Sequence, residues 1–231
     1  MDFEYIYLEE IDSTNKFAYD LGKQCKRNLV IVSKIQTSGK GRMDRTWISK
    51  EGGLYFSILM DISRVNPIEK INFLASVSVL ETLKYFSNEN FQIKWPNDIL
   101  CNDKKICGIL TELNVLKGYF VLGIGLNINN KIESSIKNVG TSLYCLEKEN
   151  FDIKQIFEEF IKNFKVNLYM DNNAILEKYK TYSKTINSNV NLILPNKTVF
   201  GRVVEIDFNG IYLLNEKEIS IYDVGDCIHL R

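Results

Sequence analysis

The segment from residue 91 to 129 most constrains the fold. FQIKWPND, KKICGILTEL and YFVLGIGLNIN are three apolar, β-rich runs in close succession, parted only by short turns. Strands that cluster instead of alternating regularly with helices predict an α+β domain on a mixed or antiparallel sheet. NLVIVSKIQ and LYFSILM supply two further strands upstream. Residues 72–86 have apolar positions at i, i+3, i+4 and i+7 and predict a core-facing helix; residues 153–182 keep the same periodicity. Ser13-Thr14-Asn15 precedes Phe17, Ala18 and Leu21 at helical spacing, which predicts a capped helix start.

After residue 184 the texture changes. VNLIL, a Pro195-Asn196-Lys197 turn, TVFGRVVEID, an Asn209-Gly210 turn, IYLLN and EISIYDVGDCIHL read as a small β-barrel-like domain. The expected division is therefore 1–184 and 185–231. A chain of 231 residues has room for one full domain with a large core and an appendage of this size.

Composition narrows the function. Lys plus Arg and Asp plus Glu number 29 each, so nothing attracts the chain globally to nucleic acid or anionic lipid, and neither is an expected partner. The N-terminal MDFEYIYLEEID carries acids where a signal peptide needs basic residues before an apolar run. No later stretch reaches a membrane span, so a cytoplasmic protein is expected. The five cysteines, 25, 101, 107, 145 and 227, form no CxxC pair and read as reduced packing residues. With His229 as the single histidine, a Ser-His-Asp triad or a His-built zinc site is not expected. Acid-base work falls to lysines, carboxylates or the substrate.

Residues 37–50, TSGKGRMDRTWISK, form a polar loop between two strands. Gly39 and Gly41 allow close backbone approach, while Lys40, Arg42 and Arg45 put three cations within six residues. This chemistry suits an anion, phosphate above all; the alternative is a solvated surface loop. No Walker A motif is present, and Gly123-Ile124-Gly125 lacks the third glycine of a dinucleotide fingerprint.

Five segments in fixed order carry a resemblance. They are Ser13-Thr14-Asn15; Gln36 through Gly39-Lys40-Gly41-Arg42 to Trp47; Lys94-Trp95-Pro96-Asn97-Asp98; Lys105 to Glu112; and Gly123 to Asn127. Together they resemble the biotin protein ligases, over almost the whole chain, and the tail resembles that family's SH3-like C-terminal domain. The resemblance implies a class II aminoacyl-tRNA synthetase-like catalytic fold. It implies biotin as substrate, ATP with Mg2+, a biotinyl-AMP intermediate, and the biotin carboxyl carrier protein of acetyl-CoA carboxylase or a related carboxylase as acceptor. Ser13, Thr14, Asn15 and Gln36 would hold the biotin ring, with Gly39, Lys40, Gly41 and Arg42 closing over the ligand and Lys105 and Gly108 beside it.

Lys105, Lys40 and Arg42 would stabilise charge during adenylation. Arg42, Arg45, Lys94 and Asn97 would meet ATP, with Trp47 a candidate for adenine stacking and Asp98 for the magnesium. Asn127 is either a nucleotide contact or a structural turn residue. Two departures limit the transfer: Lys40 replaces the commoner arginine and loses its bidentate fork, and Asp44 stands where glycine is usual and could pair with Arg42 or Arg45. The loop is expected to be mobile until an anion relieves its charge repulsion. A lipoate or octanoate ligase is the nearest rival, but its Arg-Arg-x-Ser-Gly-Gly-Gly signature is missing. The motif at residue 13 leaves no space before it for the DNA-binding domain of the repressor type, which argues against a non-enzymatic regulator. Exposed strand edges offer a route to a homodimer.

Overall fold

The computed structural model describes residues 2–24, 28–43, 45–216, 218–223 and 225–230. Cys25 and Asp44, and with Asp44 the expected pairing inside the loop, lie outside them. The main sheet has the order β1-β2-β3-β7-β6-β5-β4, where β1 is Glu4–Ile11, β2 Leu29–Gln36, β3 Leu54–Asp61, β4 Phe91–Lys94, β5 Asp98–Cys101, β6 Lys104–Asn114 and β7 Tyr119–Leu126. β1 runs parallel to β2 and the other neighbours are antiparallel, so the sheet is mixed, as expected. β1 itself was not anticipated: its alternation is broken by glutamates at an exposed sheet edge.

β3 is buried along almost its whole length, so both faces of the sheet centre must be covered. On one face Phe56, Ile58, Ile109, Leu122 and Ile124 pack into the main core with α2 (Lys70–Phe86) and α4 (Ile153–Leu168). Burying a side chain such as Phe56 contributes roughly 1.5–3 kcal/mol. α2 carries Ser76, Ser78 and Thr82 on buried positions, and each hydroxyl donates to the carbonyl four residues back, so no polar group is stranded. On the other face Leu29, Ile31, Leu59, Tyr119 and Val121 meet Ala18 of α1 (Thr14–Gln24).

The periodic run 153–182 divides into α4 and α5 (Asn172–Thr181), because the Asp171 carboxylate accepts from the amides of Asn173 and Ala174 and starts a new helix. A short α3 (Leu143–Glu147), capped by Ser142, was also not anticipated. The C-terminal segment forms its own antiparallel sheet, order β11-β10-β9-β8-β12, with β8 Asn189–Ile193, β9 Thr198–Asp207, β10 Gly210–Asn215, β11 Glu218–Tyr222 and β12 Asp226–His229. Among the described residues no helix is long and apolar enough to cross a membrane.

Candidate active site

Sheet register builds the floor of the site. Tyr55, Gly125, Gly108, Asp98 and Lys94 are successive partners across β3, β7, β6, β5 and β4; one step along, Ser57 pairs with Gly123 and Gly123 with Leu110. Residues paired in this way share a face. Gly108, Gly123 and Gly125 therefore leave a patch without side chains on the face that α1 covers only in part.

Two neighbours fill that patch. A Cβ at Gly123 would fall 1.9 Å from Asn15 Oδ1, and one at Gly125 would fall 2.4 Å from Trp47 Nε1. The glycines of β7 thus make room for side chains arriving from elsewhere, which is a different role from a phosphate-binding GxG turn. Trp47 Nε1 is buried with no acceptor among the described residues.

Lys105 reaches the same face through an irregularity. Ile99 pairs with Cys107 and Leu100 with Lys105, so Ile106 is an extra residue in β6. In a regular ladder Lys105 would point into the core; the bulge turns it round. Its Nζ lies 2.6 Å from Asp98 Oδ1 and 5.0 Å from the centroid of the Trp47 ring. Ile106 and Cys107 are fully buried instead, and burial pushes the Cys107 thiol far up, as expected of a packing residue.

At the other end of the cavity Ser13 caps α1, its Oγ 3.4 Å from the Lys16 amide. Gln36 Oε1 accepts from Thr14 N at 2.8 Å and stands 3.0 Å from Thr14 Oγ1. Its Nε2 donates to Ser49 Oγ. Asn15 Nδ2 donates to Glu112 Oε2 at 2.8 Å and to Leu110 O at 3.3 Å. Ser57, fully buried on β3, touches both Thr14 and Asn15.

The basic loop is folded as an irregular hairpin, with bridges from Gln36 to Ser49 and from Lys40 to Thr46. Arg42 and Arg45 do not stand in unrelieved repulsion. Asp226 of β12 receives Arg42 at 3.3 Å and Arg45 at 2.5 Å, and Arg42 also donates to Gly225 O at 3.1 Å. The C-terminal sheet thus supplies a carboxylate that offsets part of the loop's positive charge. It was invisible to sequence reasoning, since nothing in the spacing links positions so far apart.

The cavity has a volume of about 400 Å³. Every residue singled out from the sequence lines it except Gly39, whose carbonyl instead accepts from the Trp47 amide beneath the loop. A Cβ at Gly39 would strike Trp47 O and Ser49 Oγ, so its part is to let the hairpin close. Asn97 spends its amide on Ile109 O at 2.6 Å, and Asn127 has both side-chain ends taken, by Thr141 O and Asn130. Both shape the walls. Asp226, Ser57 and Glu112 are the functional positions that sequence reasoning gave no role. Ser57 left a signal as a small hydroxyl in the apolar run of the central strand, and Glu112 as the end of the Lys105-to-Glu112 segment.

Comparison with known proteins agrees with this geometry. Residues 7–129 match the model of the biotin/lipoate A/B protein ligase family, and residues 185–230 match the biotin protein ligase C-terminal domain. The bifunctional ligase/repressor BirA of Bacillus spizizenii is 32% identical over 230 residues, covering 92% of this chain and 70% of that protein. The biotin–[acetyl-CoA-carboxylase] ligase of Mycobacterium tuberculosis is 29% identical over 88% of this chain and 79% of that protein. The biotin protein ligase of Aquifex aeolicus, solved with biotin and ATP, superposes with a TM-score of 0.87 at 29% identity, covering 99% of both chains. Matches of this extent, running through both sheets and every segment that lines the cavity, make the chain a member of the biotin/lipoate A/B protein ligase family, among its biotin protein ligases.

Proposed function

We propose that the chain activates biotin with ATP to biotinyl-5'-AMP and pyrophosphate, and then passes the biotinyl group to a lysine ε-amine of a carrier protein, releasing AMP. One observation carries this reading: a single cavity has an uncharged hydrogen-bonding end at Thr14 and Gln36 and a cationic end formed by Lys40, Arg42, Arg45, Lys94 and Lys105. A urea ring needs the first, and a carboxylate meeting a polyphosphate needs the second. Two anions repel as they approach. Lys105, steadied by Asp98, would neutralise both and favour the transition state, in which charge is shared between the attacking carboxylate and the α-phosphate.

Among the described residues no group of three His, Cys, Asp or Glu is placed to hold a metal ion. Asp98, whose Oδ1 holds Lys105 Nζ, would offer its carboxylate to a magnesium that arrives on the ATP phosphates. The acceptor that suits this reading is the biotin carboxyl carrier protein of a carboxylase, in line with the name of the Mycobacterium relative, and the reaction would take place in the cytoplasm. Residues 1–184 would form the catalytic unit and 185–231 the small one.

ATP–pyrophosphate exchange by the purified chain tests the reading, with biotin, lipoate and octanoate compared. Exchange that requires biotin is expected. Exchange with lipoate or octanoate alone would move the chain to the other branch of its family, and no exchange with any acid would refute adenylation.

A further inference from the structure

Counting protons along the buried network at the Thr14 end shows a deficit. Three oxygen–oxygen contacts run in series: Gln36 Oε1 to Thr14 Oγ1 at 3.0 Å, Thr14 Oγ1 to Ser57 Oγ at 2.8 Å, and Ser57 Oγ to Asn15 Oδ1 at 2.6 Å. Each contact needs one proton, yet the series holds two, the hydroxyl protons of Thr14 and Ser57.

The two amides at its ends cannot turn over to supply a third. Both Nδ2 hydrogens of Asn15 point at groups that only accept, the Glu112 carboxylate and the Leu110 carbonyl, so Oδ1 must face Ser57. Gln36 is fixed in the same way, with Oε1 on the Thr14 amide and Nε2 on Ser49 Oγ, whose own proton goes to Trp47 O. Ser57 must then donate to Asn15, since Oδ1 can only accept. Thr14 then has one proton for two neighbours; given to Ser57 across the shorter gap of 2.8 Å, it leaves the 3.0 Å contact between Thr14 and Gln36 unbridged. Both of these residues line the cavity.

We infer that Ser57 and Glu112 are positioning residues for ligand choice. Through Asn15 they set the direction of this relay so that a pair of acceptors, Thr14 Oγ1 and Gln36 Oε1, faces the cavity and waits for an N–H of the ligand. The inference rests on the biotin reading and deepens it: a cyclic urea brings such an N–H, whereas a dithiolane ring or an alkyl chain brings none. Gly123 belongs to the device, because only its missing Cβ lets the Asn15 amide lie between Ser57 and Glu112.

The experiment varies the ligand and the relay together. Biotin-dependent pyrophosphate exchange is measured with biotin and with its cyclic carbamate analogues, in which one ring N–H at a time is replaced by oxygen. In the wild type one carbamate should raise KM on the order of tenfold or more, since a ring oxygen would face two acceptors. In Ser57→Ala the Thr14 proton is released to Gln36, so KM for biotin should rise on the order of tenfold while the preference over that carbamate shrinks to about twofold or less, with KM for ATP little changed. Glu112→Gln, at a half-exposed position where folding is not at risk, should move discrimination in the same direction, because an amide there can donate and lets Asn15 turn over. Equal discrimination in the wild type and both variants overturns the relay while leaving the biotin reading intact. No exchange with biotin in the wild type removes the biotin reading, and the relay's ligand with it.

Discussion

Lys105 stands with its charge held on Asp98 and its ammonium over the Trp47 ring, so it is already placed before any substrate arrives. Removing it leaves a carboxylate without its partner at the point where two anions must approach. Lys105→Ala should slow adenylate formation on the order of 100-fold or more, read in single-turnover release of pyrophosphate; a rate near wild type would take Lys105 out of the chemistry. The residues of the site were legible in the sequence to an unusual degree, because their types state their chemistry: Lys40, Arg42, Arg45 and Lys105 are cations, and Thr14 and Gln36 are paired polar groups. What sequence left undecided was how far each side chain was already committed. Asn97 gives one N–H to Ile109 O, and Asn127 is engaged at both ends by Thr141 and Asn130, and only coordinates reveal that kind of occupancy.

At the scale of elements, β7 works by what it omits. Gly123→Ala and Gly125→Ala separate the two ends of the cavity, since the added methyl meets Asn15 in one variant and the indole of Trp47 in the other. Overpacking of this kind costs roughly 1–3 kcal/mol. Gly123→Ala should raise KM for biotin on the order of tenfold and Gly125→Ala should act mainly on KM for ATP, with each substrate varied in turn in the exchange assay. Strands and helices with clear periodicity were readable because burial imposes period 2 or 3.6 on them. The bulge at Ile106 was not: after the two lysines, ICGIL has no polar residue to alternate with, so no pattern marks the residue at which the face changes. β1 escaped for the opposite reason, since an edge strand has little burial to write a pattern.

At the scale of the molecule, two ties from β12 join the sheets. One is Asp226 on the basic loop. Asp226→Asn should leave Arg42 and Arg45 less restrained, so the loop is cut faster by trypsin in the absence of ligand, and biotin with ATP should restore protection. Unchanged cleavage would show that the ion pairs do not hold the loop.

The other tie is His229, whose Nε2 lies 3.2 Å from Thr185 Oγ1, while Thr185 Oγ1 accepts from the Trp95 amide at 3.0 Å. Thr185 thus keeps a proton that a neutral His229 can accept. Burial, helped by Lys94 and Lys184, lowers the His229 pKa to about 4. Below the ordinary value near 6.5 the unfolded chain therefore takes up a proton that the folded chain refuses. Stability from this group is complete above that pH and is lost as pH falls from 6.5 toward 4. Melting temperatures should decline over this window less steeply in His229→Gln than in the wild type, and parallel declines would count against the tie.

The reach of the Asp226 contacts has a consequence for the order of assembly. Arg42 and Asp226 are 184 positions apart, and Asn15 and Glu112 are 97 apart. Contacts between such distant positions carry the largest closure entropy and form late. During synthesis the strands of the main sheet can pair while the last strand is still unmade, so the chain can reach a stage at which it holds a nearly finished fold around a basic loop that Asp226 does not yet tie down.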